Sequence, residues 1–269
     1  MSVDAASLSD FPTIDVTYAG RTVALADLPE YRKFYRKLAE GRWEADTFVA
    51  LGRHVDAQTV LIDIGAWIGV TPFWSAQAAK AVIAVEPDPK CAGILKQLAK
   101  AHPKVTVIEG ALSPSATVSI NAVEGFGSSE TSVLAIGDGE SIAVPGIGLA
   151  ALLARAEGAP VFVKIDIEGY EFIIADELAR LSARNVRGVQ IAIHPQLYEK
   201  SLAGSRILAR LRAAIATWRL GRMFAGSFAG PSLARYPSLG AYIVRGVLLR
   251  RKPKGADFLF ERKSTGTRP

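Results

Sequence analysis

The chain has 269 residues, of which 49% are hydrophobic and 22% are charged, and this composition excludes a disordered or fibrous protein. Its only cysteine is Cys91, so no disulfide can form within the chain. The N-terminal MSVDAASLSDF lacks the basic start and apolar run of a secretion signal. Together these features predict a cytoplasmic protein.

The formal net charge of +6 is distributed unevenly along the chain. Residues 200 to 269 contain 15 Lys and Arg against two acids, Asp257 and Glu261, which gives this part +13 and leaves −7 for residues 1 to 199. Such a segment is typical of contact with an anionic substrate, an anionic lipid surface or nucleic acid, or is a solvated basic surface. Because charged residues interrupt every apolar stretch, no segment is expected to span a bilayer.

The predicted elements begin with a helical N-terminal extension over residues 1–56, with two helices within residues 22–56. A single domain follows over residues 57–269, in which short apolar runs rich in Val and Ile alternate with helical segments. The predicted strands are residues 60–65, 81–87, 105–112, 160–166 and 186–194, and the predicted helices between them are 71–80, 87–102 and 168–184. This alternation indicates a doubly wound, mostly parallel α/β sheet with helices on both faces.

Residues 113–147 interrupt the alternation. Two short runs, 116–123 and 130–136, predict a hairpin on either side of EGFGSSE, and GLAALLARAEG then predicts a helix. The loop of the hairpin is expected to overhang the carboxyl edge of the sheet, or else to be an ordinary polar connection. Its hydroxyl groups belong to Ser128, Ser129, Thr131 and Ser132.

The rest of the chain predicts a basic helical segment followed by a last strand. A helix is predicted over 204–219, within the segment 200–255 that is expected to lie over the site. The sequence ADFLFERK, residues 256–263, predicts the strand.

The stretch VLIDIGAWIGVT, residues 60–71, contains the first core strand and the turn after it, where an α/β sheet commonly cradles a cofactor. A dinucleotide pyrophosphate needs G-x-G-x-x-G, so that a second glycine lets the backbone approach the phosphates. Here the first glycine is Gly65, but position 67 is Trp. The bulk of Trp67 favours a nucleoside cofactor without phosphates, for which Gly65 provides the tight turn and the amides around Ala66 bind a carboxylate.

Glu86 ends the second core strand, 21 residues after Gly65. A carboxylate at this point can accept hydrogen bonds from a ribose diol, although a Glu followed by Pro87 can also cap the next helix. Together with Asp63 and Gly65, Glu86 favours S-adenosylmethionine over NAD, because S-adenosylmethionine has a ribose and an amino acid tail but no pyrophosphate.

Three motifs, LIDIGAWIGVT, IAVEPDP and VFVKIDIEGYE, resemble those of the FkbM family of S-adenosylmethionine-dependent methyltransferases, and the resemblance covers about residues 45–194. It implies a Rossmann-like class I methyltransferase fold with a seven-stranded sheet. The positions implied to bind the cofactor are Asp63, Gly65, Ala66, Trp67 and Gly69 at the methionine end, Glu86 and Pro87 at the ribose, and Glu109 and Ala111 at the adenine. This chain departs from the family at Trp67, where stacking or shielding is expected instead of a polar contact, and at Ala192, which has no catalytic group.

Methyl transfer from a sulfonium is an in-line displacement, so the protein aligns donor and acceptor and, for an alcohol, supplies a base. Asp166 follows the fourth core strand and is the first choice to orient or deprotonate the acceptor, with Glu168 in the turn after it. His194, at the end of the fifth strand, is a second candidate base near neutral pH. The types of these three residues also suit a divalent metal, but no spacing is diagnostic, and a metal is not expected to be required.

The resemblance implies O-methylation of a hydroxyl on a sugar, glycan, lipid-linked glycan or secondary metabolite. The basic segment 200–255 suggests an anionic acceptor or contact with a membrane surface. The alternatives are an NAD-dependent oxidoreductase and a basic RNA- or membrane-binding module on a methyltransferase-like fold. Nucleic acid is not expected as the substrate, since no N-P-P-Y-type motif follows the fourth strand.

Overall fold

The structure is a computed structural model that describes residues 11–122, 127, 133–134, 140–252 and 255–263. The strands are β1 (Thr13–Tyr18), β2 (Arg21–Ala26), β3 (Val60–Ile64), β4 (Ala81–Glu86), β5 (Val105–Glu109), β6 (Ala111–Leu112), β7 (Thr117–Ala122), β8 (Glu140–Ile147), β9 (Val161–Ile165), β10 (Val186–Ile193), β11 (Phe228–Ser232) and β12 (Ala256–Arg262). The α-helices are α1 (Arg32–Ala39), α2 (Ala45–His54), α3 (Val70–Ala76), α4 (Pro89–Ala99), α5 (Leu149–Ala154), α6 (Ala175–Leu178), α7 (Pro195–Ser201), α8 (Arg206–Arg222) and α9 (Leu239–Tyr242). Shorter 3-10 turns cover Pro29–Tyr31, Tyr170–Phe172 and Ala179–Ser182, and a π-helical segment covers Ile243–Leu248.

The main sheet has seven strands in the order β11-β12-β10-β9-β3-β4-β5. β12 is antiparallel to both of its neighbours, and the other adjacent pairs are parallel. Every residue of β3 and β9 is buried, because helices cover both faces of the sheet. The predicted Rossmann-like architecture with a seven-stranded, mostly parallel sheet is therefore confirmed.

The seventh strand, β11, was not indicated by the sequence pattern. Only Phe228 of its five residues is buried, so the run lacks the apolar signal of a core strand. It contains Pro231, and an edge strand tolerates a proline because one side of its backbone needs no partner.

Alternate residues of the core strands enter two separate cores. On β3, Ile62 and Ile64 belong to the core formed with α5, α6 and α8, whereas Leu61 belongs to the core formed with α2, α3 and α4. This division follows from the strand geometry, in which successive side chains point to opposite faces.

The N-terminal extension is only partly helical, so the prediction of a helical segment over residues 1–56 needs correction. The two predicted helices are present as α1 and α2, but a hairpin of β1 and β2 precedes them. The hairpin buries Val16, Tyr18 and Val23 on one face, because its apolar residues alternate with the period of a strand rather than of a helix.

The excursion after β5 contains a hairpin, but its second strand is residues 140–147 rather than the predicted 130–136. β7 pairs with β8 in the register Ile120 with Ile142 and Val118 with Val144, and most of residues 130–136 lie outside the described residues. The pairing is stabilised by Ile120 and Val144, which are buried together in a small core of their own. The helix predicted over 148–158 is present as α5.

The helix predicted over residues 168–184 is also interrupted. A 3-10 turn at Tyr170–Phe172, the four-residue helix α6 and a second 3-10 turn take its place. The side chain of Glu171 explains the interruption, since it is fully buried and accepts backbone hydrogen bonds from Gly169 and His194 instead of lying on a solvated first turn.

The chain reverses its winding direction between β3 and β9, which are neighbours in the sheet. From β3 the chain adds β4 and β5 on one side, and then returns to add β9 and β10 on the other. The carboxyl ends of β3 and β9 therefore border a crevice at the topological switch point, where α/β sheets bind ligands.

A buried ion pair joins these two strands directly below the crevice. Lys164 Nζ lies 3.2 Å from Asp63 Oδ1, and the other carboxylate oxygen of Asp63 accepts a hydrogen bond from the Thr71 hydroxyl. Burial disfavours the charged form of Lys164, but the carboxylates of Asp63, Asp166 and Glu44 outweigh burial and hold its pKa above the ordinary value. The lysine therefore remains a cation.

We expect Asp63→Asn to lower the free energy of unfolding by about 3–5 kcal/mol, because it leaves the Lys164 ammonium buried without a compensating charge. Urea denaturation measures this change. The double variant Asp63→Asn/Lys164→Met removes both charges and should recover part of the loss. A single variant as stable as the unmodified chain would show that the pair contributes nothing to folding.

Candidate functional site

A cavity of about 340 Å³ opens at the carboxyl ends of β3, β4 and β9. Its walls come from the loop after each of these strands and from the N-terminal extension. The residues that line it include Phe34, Lys37, Trp43, Glu44, Gly65, Ala66, Trp67, Thr71, Glu86, Pro87, Gly110, Ala111, Leu112, Val133, Lys164, Asp166, Glu168, Tyr170 and His194. Of the predicted cofactor positions, Gly65, Ala66, Trp67, Glu86, Pro87 and Ala111 are among them.

The turn after β3 requires glycine at its first position. Gly65 has a φ of 82°, and a Cβ atom there would lie 1.8 Å from the carbonyl oxygen of Asp166. The close approach of the two backbones is possible only without a side chain.

The backbone N–H groups of Gly65, Ala66 and Trp67 already have hydrogen-bond partners within the protein. The N–H groups of Gly65 and Ala66 donate to the Val85 carbonyl at 3.0 and 3.2 Å, and the N–H of Trp67 donates to Glu86 Oε2 at 2.7 Å. These bonds fix the loop to β4. The expectation that amides around Ala66 bind a carboxylate therefore needs correction, because the tertiary contact with β4 already uses them.

Trp67 connects the cofactor loop to the N-terminal extension. Its ring makes edge contacts with Phe34, at a centroid distance of 4.7 Å, and with Tyr31, at 5.7 Å. Its Nε1–H donates to the carbonyl of Gly127 at 3.1 Å. The side chain thus forms part of the cavity wall and attaches the extension to the sheet.

Gly127 belongs to the loop that was expected to overhang the site. Its carbonyl also accepts a hydrogen bond from the Tyr31 hydroxyl at 2.9 Å, and its N–H donates to Asp88 Oδ2 at 2.6 Å. Val133, from the same loop, lines the cavity. The hydroxyl residues Ser128, Ser129, Thr131 and Ser132 lie outside the described residues, so their predicted contacts stay predictions.

Glu86 lies at the rim of the cavity with both carboxylate oxygens engaged by backbone. Oε2 accepts from the N–H of Trp67, and Oε1 accepts from the N–H of Asp88 at 2.9 Å. A carboxylate offers about four acceptor positions, so capacity remains for a diol. Burial raises the pKa of Glu86 to about 8, although the two backbone N–H groups lower it.

Three predicted cofactor positions do not line the cavity. Asp63 is buried beneath it in the ion pair with Lys164. Gly69 begins α3 at a φ of 97°, and a Cβ atom there would meet the Phe73 ring. Glu109 pairs with Lys96 at the surface, and the neighbouring Gly110, Ala111 and Leu112 line the cavity instead.

The predicted catalytic residues lie together at the carboxyl edge. His194 Nδ1 is 3.9 Å from Asp166 Oδ1, and His194 Nε2 is 3.7 Å from Glu168 Oε2. Among the described residues, neither Asp166 Oδ1 nor His194 Nδ1 has a hydrogen-bond partner. Glu171 holds His194 in place by accepting its backbone N–H at 2.7 Å. Both atoms are buried, so each needs a partner that the described part of the protein does not supply.

The charge state of His194 differs from the sequence-based expectation. Burial lowers its pKa, but the carboxylates of Glu168, Asp166 and Glu171 outweigh burial and raise it to about 9. A raised pKa favours the imidazolium form of His194 at neutral pH, and an imidazolium cannot accept a proton. We therefore favour Asp166 as the base, and the assignment of a base to either residue stays a prediction.

Asp166, Glu168 and His194 each offer one ligand atom, and these atoms lie within 4.8 Å of one another. Such a group can hold a divalent cation. The protonated His194 already provides one positive charge among these carboxylates. That the activity needs no metal stays a prediction.

A second cavity, of about 220 Å³, adjoins the first and shares Glu44, Asp166 and His194 with it. Its other walls are Asp46, Ala192, Ile193, Leu233, Ala234, Arg235, Tyr236, Gly255, Ala256 and Asp257. Ala192 is paired with Asp257 on β12, so the small methyl group leaves space beside an acid supplied by the next strand. Position 192 itself has no polar group, but Asp257 in the adjacent strand places a carboxylate next to it.

Sequence reasoning missed Glu44 and Asp257 as residues of the site. Burial and the carboxylate of Asp166 raise the pKa of Glu44 to about 8 and that of Asp257 to about 6. Glu44 has a φ of 40° at the start of α2, and no motif marks it. Asp257 could be found only from the antiparallel pairing of β12 with β10.

The segment 200–255 was expected to lie over the site as a basic helix, and the structure corrects this. Leu233, Ala234, Arg235, Tyr236 and Gly255 line the second cavity. The long helix α8 instead packs against α7 and the π-helical segment.

Comparison with known proteins gives a family match. The model of the methyltransferase FkbM domain matches residues 63–214. No curated protein sequence matches the chain significantly.

The solved structures that match the chain share little sequence with it. The 23S rRNA methyltransferase ErmE is 13% identical, with 82% of this chain and 69% of that chain covered at a TM-score of 0.40. A putative hemolysin from Streptococcus thermophilus is 15% identical, with 82% and 65% covered at 0.45. TrmK of M. capricolum, solved with S-adenosyl-homocysteine, is 10% identical, with 80% and 67% covered at 0.39. The chain thus spans about two thirds of the length of these proteins.

The raised pKa values of Glu86 and His194 predict that the free energy of unfolding decreases as the pH rises. The folded protein holds the protons of Glu86 and His194 more tightly than the unfolded chain, so their contribution is lost between about pH 4.5 and 8 for Glu86 and between about pH 6.5 and 9 for His194. We expect the free energy of unfolding, measured by urea denaturation, to decrease over this interval. Glu86→Gln should flatten the lower part of the profile, and a free energy that rises with pH would contradict the assignment.

Proposed function

The chain belongs to the FkbM family of S-adenosylmethionine-dependent methyltransferases, and from this premise we propose that it methylates a hydroxyl group of a sugar, glycan, lipid-linked glycan or secondary metabolite. The observation that carries the proposal is the junction of the two cavities at Asp166. One cavity is suited to the methyl donor and the other to the acceptor. Family membership replaces the alternative of an NAD-dependent oxidoreductase.

The first cavity offers groups that complement each part of S-adenosylmethionine. Glu86 retains acceptor capacity for the ribose hydroxyls. Pro87, Ala111, Leu112 and Val133 provide apolar surface for an adenine. Lys37 lines the cavity and is a candidate partner for the carboxylate of the methionine end.

The carboxylates at the junction of the cavities complement the positive charge of the donor. Glu44 and Asp166 line both cavities, and Glu168 lines the first. A sulfonium cation placed among them would be attracted by the ionised carboxylates and would favour the ionised form of Glu44, whereas the neutral thioether product would do neither. The same charges therefore favour binding of the donor and release of the product.

Asp166 is the proposed base for the acceptor hydroxyl. Its Oδ1 has no hydrogen-bond partner among the described residues, and the residue lines both cavities. In the reaction, the acceptor oxygen forms a bond to the methyl carbon, the carbon–sulfur bond breaks with its electron pair on sulfur, and the hydroxyl proton passes to Asp166. The imidazolium of His194, close to Asp166 and Glu168, would orient the carboxylate and help to exclude water.

The charge of the second cavity indicates which acceptors fit. Asp46, Asp166 and Asp257 line it together with Glu44, and Arg235 and His194 are the only cationic side chains among its described lining residues. Arg235 already lies 3.5 Å from Asp46. A phosphate or carboxylate would be repelled here. We therefore favour a neutral polyhydroxyl or amine-bearing acceptor over the anionic acceptor that the basic segment suggested.

Glu86→Gln should weaken the binding of S-adenosylmethionine about 10- to 100-fold, because the amide replaces one acceptor oxygen with an NH₂ donor and leaves a hydrogen bond of the backbone or the ribose unmade. Calorimetric titration of the purified protein measures the dissociation constant, and the melting temperature of the ligand-free variant shows whether it is folded. Unchanged affinity in a folded variant would contradict the role of Glu86. NAD titrated into the unmodified chain should give no binding.

Asp166→Asn should lower kcat by about 10²- to 10⁴-fold, the usual contribution of a general base, with little change in KM for the acceptor. Asp46→Asn, which alters only the second cavity, should change KM for the acceptor and leave kcat nearly unchanged. Mass spectrometry with labelled S-adenosylmethionine measures transfer to a panel of neutral sugars, amino sugars and sugar phosphates. Preferential methylation of sugar phosphates, or undiminished turnover by Asp166→Asn, would overturn the proposed acceptor class or base.

A further inference from the structure

Helix α8 exposes five of its six large apolar side chains and buries the sixth, Leu220, with most of its small residues. Ala209, Ala213 and Ala214 face the protein interior, together with Thr217 and Gly221. The opposite side carries Ile207, Leu208, Leu211, Ile215 and Trp218, which are between 47% and 72% exposed. These positions recur at the spacing of one helical face. A soluble surface helix ordinarily shows the reverse arrangement, so this face is suited to a partner.

The π-helical segment, which packs against α8, adds two more exposed apolar residues. It exposes Val244, and Leu249 follows it at 57% exposure. We call the exposed apolar residues of α8 with Val244 and Leu249 the α8 surface. Five large apolar side chains exposed on one face of a single helix are uncommon on proteins without a partner.

Arginines surround the α8 surface, and acidic residues are absent from this part of the sequence. Residues 201–256 contain eleven Lys and Arg and no Asp or Glu. Arg206, Arg212, Arg219 and Arg222 are exposed on α8 itself, and the guanidinium of Arg222 lies 5.9 Å from the centroid of the Trp218 ring. Apolar side chains, a tryptophan and arginines on one helix face are typical of helices that lie in a membrane interface.

We propose that the α8 surface docks the protein on an anionic lipid bilayer, with α8 lying in the plane of the headgroups. The apolar residues would enter the boundary of the acyl chains, while the arginines contact lipid phosphates. In the part of the chain that the structure describes, no helix has the length and apolarity to cross a bilayer, so the contact is with one face of the membrane.

Charge and apolar area favour an anionic bilayer over a second copy of the chain or a nucleic acid as the partner of the α8 surface. A second copy of the chain on the same face would bring two groups of arginines together without acids between them, which opposes association. A nucleic acid would satisfy the arginines, but it has no counterpart for Ile207, Leu211 and Ile215. An anionic bilayer complements both the charge and the apolar area.

The docking proposal does not depend on methyl transfer. It concerns a surface formed by α8 and the π-helical segment, which is separate from the residues that line either cavity. A failure of either proposal therefore leaves the other standing, because lipid binding and turnover on a soluble acceptor are measured separately.

Co-sedimentation of the full chain with vesicles tests the proposal. The vesicles contain phosphatidylcholine alone or phosphatidylcholine with phosphatidylglycerol. We expect the chain to bind the anionic vesicles, and we expect added salt to weaken this binding. The variants Arg212→Gln and Arg219→Gln should each bind these vesicles about fivefold more weakly. Leu211→Gln and Ile215→Gln should each weaken binding about tenfold, since each removes a side chain that enters the bilayer.

Val49→Gln is the matched control. Val49 is 61% exposed on α2, outside the α8 surface, so this variant should bind vesicles as the unmodified chain does. All of these positions are exposed, so the variants should remain folded, and their melting temperatures check this. Fluorescence of Trp218, compared with a Trp218→Phe variant, should shift to shorter wavelength on addition of anionic vesicles.

Three results would overturn the proposal. The first is the absence of binding to anionic vesicles by the folded, unmodified chain. The second is that Leu211→Gln and Ile215→Gln bind anionic vesicles as strongly as the Val49→Gln control does. The third is a dimer in sedimentation equilibrium that Ile215→Gln dissociates, which would make the α8 surface a contact between two copies of the chain.

Discussion

The buried ion pair between Asp63 and Lys164 determines how the rest of the site is arranged. It joins the two strands at which the sheet reverses its winding, and the hydroxyl of Thr71 connects it to the helix that follows the cofactor loop. Two charges away from water are acceptable only as partners. Because Asp63 and Lys164 satisfy each other, β3 and β9 stay in register, and Gly65 meets the backbone of Asp166 above them.

Above this pair, the protein concentrates carboxylates at a single point between two cavities. Glu44 comes from the N-terminal extension, Asp166 from the turn after β9 and Asp257 from β12. Burial, together with the nearby charge of Asp166, raises the pKa of Glu44 and Asp257. Such crowding opposes folding at basic pH, and it is typical of functional sites that bind a cation. The protonated His194 partly compensates the charge, and a sulfonium donor would compensate more of it.

The sequence predicted the sheet well because its strands are buried on both faces. Apolar runs at residues 60–65, 81–87 and 160–166 gave strands within one or two residues of β3, β4 and β9. The weaker elements were missed for physical reasons. β11 buries only Phe228, so it lacks an apolar run. β8 was confused with a run that begins 10 residues earlier in the chain. The hairpin of β1 and β2 lies in the same extension as two helices, and the whole extension was predicted to be helical.

For the site, the sequence by itself determined which residue types stand at the ends of the core strands: Gly65, Glu86, Asp166 and His194 each follow an apolar run, and the carboxyl ends of parallel strands must share one edge. Only the tertiary structure decided which of them are free to act. Hydrogen bonds to the Val85 carbonyl and the Glu86 carboxylate occupy the amides of Ala66 and Trp67. Neighbouring carboxylates raise the pKa of His194, and the pairing of β12 with β10 brings in Asp257. Hydrogen bonding, burial and local charge depend on residues distant in the chain, and no local pattern encodes them.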